Sequence, residues 1–377
     1  MTVHVASVGI GRFGKRPEGL VALAAEAANL ALEGVGRKPI DLLVVGSMFA
    51  QGPQGREALL PRLAGRLGLE SASGFRVDSS SGTGGMAFHA AALALETGRF
   101  DRALVVAAEK MTDRSTAEIT KELSAALHTS EVAAGATMPG LAAIVTTRYL
   151  QAHRLTTGIC DLTAVHARSM AVRNPNAQFQ KIVTAQEVAA SRPVALPLRL
   201  LHCSAISDGA AAVVLEKGAG PATVLGLGQG FDALRIVDRE DLTSFAATRI
   251  AARRAYEAAH LTRKEVQLIE VHDAFSPFLL FHLEDLGFCG PGEAARWFEK
   301  GWVGLDGRLP VNPSGGVIGR GHPIAASGLA GIAEVALQLR GEAGLHAVAT
   351  RPKVGLAQTV SGIAAHNFVT ILGGRAP

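Results

Sequence analysis

Two glycine-rich segments of the sequence combine backbone N–H groups with side chains that can move protons. The first, SSSGTG at 79–84, carries Ser81, and the second, GHP at 321–323, carries His322. Each leads into an alanine-rich segment that predicts a helix, and Pro323 suits the first position of such a helix. The free N–H groups and positive dipole end of a helix start stabilise a phosphate or a developing oxyanion.

Each of these residues also has a simpler explanation. Ser81 could serve only as a helix N-cap, and His322 could be a buried histidine whose hydrogen bonds are satisfied within the fold. The two segments lie far apart in the sequence. A shared site therefore requires a fold that brings the two helix starts together.

Internal similarity indicates such a fold. Residues 31–50 resemble 255–275, because both read as the end of a helix, a short link with Arg-Lys, an apolar strand and a polar turn. Residues 79–98 likewise resemble 319–341, each a glycine-rich turn that enters a small-residue helix. Two matches in the same order predict a duplicated α/β unit, whose pseudo-dyad would set the helix starts face to face.

The elements that must position these residues alternate between strands and helices. Continuous apolar strands separated by helices favour parallel pairing with both sheet faces covered. We predict an N-terminal half at 1–217, a C-terminal half at 218–377, and an inserted loop subdomain at about 112–205 that covers the site. The predicted strands are 3–10, 41–46, 103–108 and 210–215, and the predicted helices are 20–32, 84–96, 141–153, 162–172 and 184–190, the last with a Thr184–Glu187 capping box.

Composition limits the class of protein. The 377 residues are 48% hydrophobic and 19% charged, with a net charge of +4, which is ordinary for a two-domain globular protein. No basic cluster is interleaved with aromatic residues, so we expect no nucleic-acid partner. No apolar run is long enough for a membrane span, and the N-terminus does not read as a signal peptide. Three scattered cysteines without metal spacing indicate a reducing compartment, so the expected location is the cytoplasm.

Five segments resemble the motifs of one enzyme superfamily, the thiolases. NPSGGVIGRGHPIAASG at 312–328 resembles the Gly-His-Pro signature, and ISDGAAAVVLE at 206–216 resembles the closing strand of the first half. VHDAF at 271–275 resembles the second box in its His-Asp variant, as in sterol-carrier-protein-x and archaeal thiolases. NPNAQFQKIVTAQEV and PLRLLHCSAISDGAA also resemble that branch. The resemblance implies the thiolase fold, with two similar α/β halves in an αβαβα layered arrangement.

The resemblance also implies a site for acyl transfer from coenzyme A. In the family a cysteine at the first helix start takes the acyl group, the Gly-His-Pro histidine activates it, and a second cysteine shuttles a proton. His322 and His272 match the two histidine positions, and the nucleophile position falls on Ser81. The backbone groups that the resemblance places beside the oxyanion belong to Gly82, Ser361 and Gly362.

The sequence departs from the family where the cysteines should be. No cysteine lies near Ser81, and Ala274 stands where some relatives carry a cysteine in the second box. Near the C-terminus, Gln358 and Thr359 replace both the cysteine and the His-Asn pair of the two known forms. The three cysteines of the chain match none of these positions; they are Cys160, Cys203 and Cys289.

These departures disfavour thiolysis. A serine alkoxide is hardly populated near neutral pH, and returning an acyl group from a serine ester to coenzyme A is uphill. Three hypotheses remain: non-covalent enolate chemistry of the aldol type on an acyl-coenzyme A, a non-catalytic subunit that binds acyl-coenzyme A or a lipid, and a serine-dependent acyl-coenzyme A hydrolase. The similar aldolases rely on tyrosines, and the chain has only Tyr149 and Tyr256, neither in a recognised motif.

The resemblance finally implies partners. We expect a homodimer, since the sheets of thiolases pair across a two-fold axis, and a small zinc-ribbon/OB-fold protein is a possible partner. Coenzyme A enters as part of the thioester substrate, with no further cofactor or metal expected. Its phosphates would lie under the 112–205 subdomain, where basic residues are available, although the sequence singles out none of them: Arg148, Arg168, Arg173, Lys181 and Arg192.

Overall fold

The computed structural model of the chain describes residues 2–36, 38–49 and 58–374. Its strands are β1 (Val3–Ile10), β2 (Leu42–Gly46), β3 (Ser73–Val77), β4 (Arg102–Glu109), β5 (Pro193–Ala195), β6 (Leu198–Arg199), β7 (Gly209–Lys217), β8 (Thr223–Phe231), β9 (Leu268–Glu270), β10 (Val354–Ser361) and β11 (His366–Gly373).

Nine of these strands form one mixed sheet in the described parts of the chain. Their order is β3-β2-β4-β7-β1-β8-β11-β10-β9, and β5 and β6 form a separate ribbon. The five strands of the N-terminal half lie on one side and the four of the C-terminal half on the other. The two sets meet at a single β1–β8 register pair, His4 with Thr223.

The expectation of parallel pairing was wrong for much of this sheet. β2 runs parallel to β3 and β4, and β9 runs parallel to β10, but β1, β7, β8 and β11 pair antiparallel with their neighbours. β11 follows β10 through a tight turn, and a tight turn can join only antiparallel strands. The continuous apolar sequences of the predicted strands therefore reflect burial on both faces of the sheet rather than the direction in which the strands run.

Helices cover both faces of the sheet. They are α1 (Leu20–Glu33), α2 (Leu59–Leu67), α3 (Thr83–Glu96), α4 (Thr116–Leu123), α5 (Thr129–Ala133), α6 (Met138–Ala152), α7 (Gly158–Ala171), α8 (Ala185–Ala190), α9 (Ala246–Ala259), α10 (Phe278–Asp285), α11 (Ala294–Glu299), α12 (Gly316–Arg320) and α13 (Ile324–Arg340).

The core forms layers around α3 and α13. These two helices share one apolar cluster with strands of both halves, while α1 and α2 cover the outer face of the N-terminal strands and α9 and α10 that of the C-terminal strands. The helices touch closely, because a Cβ atom at Gly84 would lie 2.2 Å from the backbone nitrogen of Leu329. The layered arrangement of two similar halves is therefore confirmed.

The 112–205 insertion packs mainly on the other half of the molecule. Leu127, Leu141, Tyr149 and Leu198 share a core cluster with α9, α10 and β11 of the C-terminal half. The predicted capping box is present, since the Thr184 and Glu187 side chains each accept the other's backbone N–H. The position of the 217/218 boundary stays a prediction. Among the described residues, no helix is long and apolar enough to cross a membrane.

Candidate active site

Residues from both halves and from the insertion enclose a small cavity. It measures about 90 Å³, and among the described residues Ser81, His272, His322 and Gly362 line it. This places three predicted catalytic residues and one predicted backbone residue around one space. The remaining walls are largely apolar, with Met111, Leu123, Met138, Ile206, Phe278 and Ile324 among them.

The Ser81 side of the cavity is a tight turn before α3. Ser81 lies in a 3₁₀ turn, Ser80–Gly82, and α3 is preceded by Gly82 with no side-chain cap. The simple explanation of Ser81 as an N-cap is therefore wrong. Ser80 adopts a left-handed conformation at φ 49°, and its N–H donates to Asp78 Oδ1 at 2.9 Å. A non-glycine residue in this region is strained, so the turn is held by its surroundings.

His322 is fixed through both its backbone and its ring. Its N–H donates to Ser207 Oγ at 2.9 Å, and its Nδ1 lies 2.8 Å from Ser327 Oγ. Ser327 Oγ donates its single proton to the carbonyl of Pro323 at 3.0 Å. With the hydroxyl directed to Pro323, Oγ accepts a proton from Nδ1, and Nε2 of the uncharged ring carries the lone pair; we assign this tautomer from the hydrogen-bond network. Pro323 is the N-cap of α13 rather than its first helical residue, because the helix begins at Ile324.

His272 follows β9 and is held by its backbone. Its N–H donates to Gln358 Oε1 at 3.0 Å, and its carbonyl accepts from His282 Nε2 at 3.1 Å. Its ring lies 5.1 Å from the ring of His322, centroid to centroid, at an angle of 70°. Gln358, which the sequence marked only as a departure from the family, therefore orients a histidine of the site.

Burial keeps both histidines uncharged. It lowers the pKa of His272 to about 3, with a smaller contribution from Arg320. Burial, with smaller contributions from His272 and Arg320, holds the pKa of His322 well below its usual value. The described lining contains no carboxylate, lysine or arginine side chain. The cavity thus suits an uncharged group in which charge appears only during reaction.

Two of the predicted backbone residues are not part of the lining. Gly82 and Ser361 are sequence neighbours of lining residues, but the described cavity wall includes neither of them. Gly82 packs against a ring, since a Cβ atom there would lie 2.9 Å from Phe368. The apolar side chain of Val360 lines the wall beside Gly362, and Ala274 also lines the cavity.

The cysteines and tyrosines of the chain lie elsewhere in the described structure. Cys160, Cys203 and Cys289 are free thiols, and burial raises the pKa of each to about 12. Tyr149 donates to Glu284 and Tyr256 to the carbonyl of Leu286. None of the five lines the described cavity.

One basic residue proposed for the coenzyme phosphates is not free for them. Arg168 is buried, with its guanidinium carbon 3.7 Å from the ring centroid of Phe179. Arg148 lines a separate open groove on α6. The other three remain candidates without a structural assignment.

Sequence reasoning missed the residues that support the two histidines. Ser207 and Ser327 position His322, and Ser204 and Met111 line the cavity. Serines in a small-residue helix and beside a strand carry no distinguishing pattern. The short sequence separation of His322 and Ser327, five residues, is the one signal that could have pointed to Ser327.

A groove larger than this cavity lies elsewhere in the described structure. An open groove of about 740 Å³ lies at the end of α9, between Arg249, Arg263 and Leu286. It contains none of the predicted site residues. Size alone therefore does not locate the chemistry, and the enclosed cavity with two converging histidines is the better candidate.

Comparison with known families agrees with this geometry. The family described as "Thiolase, N-terminal domain" matches residues 5–219, and "Thiolase C-terminal domain-like" matches residues 228–374. An α/β protein with this layered core and these paired motifs belongs to a superfamily that handles acyl thioesters. The chain belongs to the thiolase family.

Individual relatives agree with the predicted branch. The chain is 38% identical over 347 residues to an acetyl-CoA acetyltransferase of Methanothermobacter thermautotrophicus, covering 89% of this chain and 90% of that protein. It is 30% identical to the benzoylsuccinyl-CoA thiolase subunit BbsB of Thauera aromatica, covering 96% and 94%. It is also 39% identical over 188 residues to human sterol carrier protein 2, covering 46% and 34%.

Among solved structures, the "Ltp2-ChsH2(DUF35) aldolase" superposes with a TM-score of 0.84 at 26% identity. The match covers 99% of this chain and 98% of that one. Resemblance to the archaeal and sterol-carrier-protein branch is thus confirmed, and the chain is similar to acyl-CoA acetyltransferases. One solved relative is called an aldolase, and one curated relative is called a subunit.

Proposed function

We propose that the protein binds an acyl-coenzyme A thioester and makes or breaks a carbon–carbon bond next to the carbonyl without an acyl-enzyme intermediate. The observation that carries this proposal is the state of His322. Its Nδ1 is committed to Ser327, so the lone pair of Nε2 is available as a base. Ser81 forms no hydrogen bond with either histidine in the described structure, so the nucleophile–base pair of a serine enzyme is not assembled.

The chemistry follows from two neutral imidazoles that share one cavity. In the cleavage direction, Nε2 of His322 removes the hydroxyl proton of a β-hydroxyacyl-coenzyme A. The Cα–Cβ bond breaks, and its electron pair forms the thioester enolate. A ring N–H of His272 and nearby backbone N–H groups stabilise the enolate oxygen.

The proton on His322 then passes to Cα, which completes the reaction. The products are an aldehyde or ketone and a shortened acyl-coenzyme A, so atoms and charges balance. Because the walls are apolar and carry no fixed charge, they exclude water from the enolate and favour its stabilisation by fixed dipoles. The likeness to an aldolase structure supports this direction of chemistry.

The residue at position 81 is the reason why we propose no ordinary thiolysis. By resemblance it is the nucleophile position of the family, and it holds serine. The cysteines elsewhere have thiols whose pKa burial raises to about 12, which keeps them protonated at neutral pH. A thiolate at the cavity is therefore lacking among the described residues.

A second candidate is a non-catalytic subunit that binds acyl-coenzyme A and supports an active partner. The position of the tyrosines favours it, because Tyr149 and Tyr256 both lie away from the cavity. A relative named as a thiolase subunit and a relative solved with a DUF35 chain are in line with a small partner protein. This candidate predicts binding without turnover until that partner is present.

The homodimer remains a proposal. β3 is one of the two edge strands of the nine-stranded sheet, and its residues Ser73, Gly74 and Phe75 are exposed. An exposed edge strand offers unpaired N–H and carbonyl groups to a second copy. Sedimentation or light scattering of the purified protein tests this, and a monomer at micromolar concentration would contradict it.

The experiment that tests the function is a substrate panel with purified protein. Acyl- and β-hydroxyacyl-coenzyme A thioesters are incubated with it, and both free thiol and product mass are followed. The proposal predicts a carbonyl product and a shorter thioester with no free thiol. Free thiol with a carboxylic acid would identify a hydrolase instead, and binding without product would favour the subunit.

A further inference from the structure

Glu109 is a buried carboxylate beside the cavity that has no part in the chemistry proposed above. It is the last residue of β4 and is fully buried. It accepts hydrogen bonds from Ser47 Oγ at 2.9 Å and from the N–H groups of Met48 and Phe49 at 3.0 Å each. The N–H of Ala325, in the first turn of α13, lies 3.3 Å away.

The segment that Glu109 holds forms the back of a cavity wall. Phe49 is buried in a small cluster with Met111, Ile119 and Ile324. Met111 and Ile324 are also lining residues of the cavity. Phe49 therefore packs behind two side chains of the cavity wall.

A neighbouring carboxylate shows what is unusual about Glu109. Burial alone would raise the pKa of Asp208, but hydrogen bonds from Lys110 and Thr112 hold it below its usual value. Glu109 has no such cation among the described residues that contact it. Burial raises its pKa to about 7, although the N–H groups of Met48 and Phe49 oppose this.

We propose that Glu109 is a positioning residue that sets the acyl-group selectivity of the site by holding Ser47–Phe49 against the cavity wall. The inference rests on the proposed function only in taking the cavity as the place of the acyl group. It assigns Glu109 no contact with the substrate.

Removing the negative charge should loosen this wall. A neutral carboxyl or an amide turns one acceptor into a donor that faces the N–H groups of residues 48 and 49. At least one of these N–H groups then has no acceptor. An unpaired N–H group costs more free energy here than at the surface, because water cannot replace the lost acceptor in a buried site. Phe49 shifts, and Met111 and Ile324 can move apart to admit longer chains.

The test is calorimetric binding of coenzyme A, acetyl-coenzyme A and octanoyl-coenzyme A at pH 8. For wild type we expect the short thioester to bind about tenfold more tightly than the long one. For Glu109→Gln the affinities for acetyl- and octanoyl-coenzyme A should differ by no more than about threefold, and the affinity for free coenzyme A should be unchanged. The matched control is Glu216→Gln, because Glu216 lies at the opposite end of the same β4–β7 strand pair.

A pH titration separates positioning from a purely structural role. The wild-type ratio should decline between pH 8 and 6, whereas that of Glu109→Gln should not change. Asp208 has a lowered pKa and His322 a pKa well below its usual value, so neither changes charge in this range. In the part of the chain that the structure describes, Arg114 lies over the Phe49 ring and Arg76 donates to the carbonyl of Ser47, while Lys110, next to Glu109 in the sequence, pairs with Asp208.

Two results would overturn the inference. One is a Glu109→Gln protein that keeps the wild-type ratio, and the other is a wild-type ratio independent of pH. If Glu109→Gln does not fold, Phe49→Ala replaces it, and retained selectivity in that variant contradicts the proposal equally. Failure of wild type to bind any thioester would instead refute the proposed function, which is a distinguishable outcome.

Discussion

The two helix starts that meet at the cavity correspond in the internal repeat, yet they are built for different tasks. At the start of α13, His322 is held by Ser207 and Ser327, which fixes its backbone and its tautomer. At the start of α3, the hydroxyl of Ser81 makes no hydrogen bond within the described part of the chain, and Ser80 before it has a left-handed backbone at φ 49°. In the proposed mechanism, the start of α13 carries the proton-transfer group and the start of α3 forms part of the cavity wall.

This difference extends to the two halves. The C-terminal half supplies both histidines, together with Gln358 and Ser327 that orient them. The N-terminal half and its insertion supply Ser207, which accepts the His322 N–H, together with Ser81, apolar side chains such as Met111 and the carboxylate of Glu109. In the account proposed here, the reacting side chains come from the C-terminal half, and the N-terminal half contributes mainly to positioning and to acyl-group selectivity. This is the division between the two halves. The predictions below test this division.

The largest effect should come from the C-terminal side. His322→Ala removes the proposed base, and we expect kcat to fall by about 10²–10⁴ with little change in thioester affinity. Steady-state rates with a β-hydroxyacyl-coenzyme A and calorimetric binding measure the two quantities separately. Equal loss of both would mean that His322 is needed for the fold or for binding rather than for reaction.

The next largest effect should come from a substitution at the contact between α3 and α13. Gly84→Ala would place a Cβ atom 2.2 Å from the backbone nitrogen of Leu329, so α3 and α13 must separate. Overpacking of this kind costs about 1–3 kcal/mol, measured as the free energy of unfolding in urea. Gly65→Ala in α2 is the control, because its Cβ would meet only Glu70 at 3.9 Å. There we expect no loss of stability, and equal losses in both variants would contradict this account.

A smaller effect should follow from removing the hydrogen bond that selects the tautomer of His322. Ser327→Ala removes the acceptor of His322 Nδ1, and we expect kcat to fall by about tenfold, corresponding to about 1.4 kcal/mol of activation free energy. Ser327→Thr keeps the hydroxyl and should recover most of the rate. If Ser327→Ala has the wild-type rate, the hydrogen bond does not set the reactive state of His322.

The sequence predicted the fold class and the meeting of Ser81, His272 and His322 better than it predicted the surroundings. Repeats and motifs can be recognised locally in the sequence. Because the two repeated units pack face to face, the motifs of both units lie close together in the fold. The expected strand direction was partly wrong, because burial on both faces gives the antiparallel strands β1 and β7 the same apolar sequence as parallel strands. The sequence did not predict roles for Glu109, Ser207 and Ser327. Glu109 and Ser207 act on residues far from them in the sequence, and Ser327 is one of many small residues in its helix.

The central claim concerns Ser81, where we expect the smallest effect of all. Turnover of a β-hydroxyacyl-coenzyme A by Ser81→Ala, followed by the mass of the carbonyl product, should stay within about threefold of wild type, because no bond to the serine oxygen is made. A fall of more than about a hundredfold, with the variant folded and still binding the thioester, would show that the hydroxyl carries the acyl group and would contradict the account.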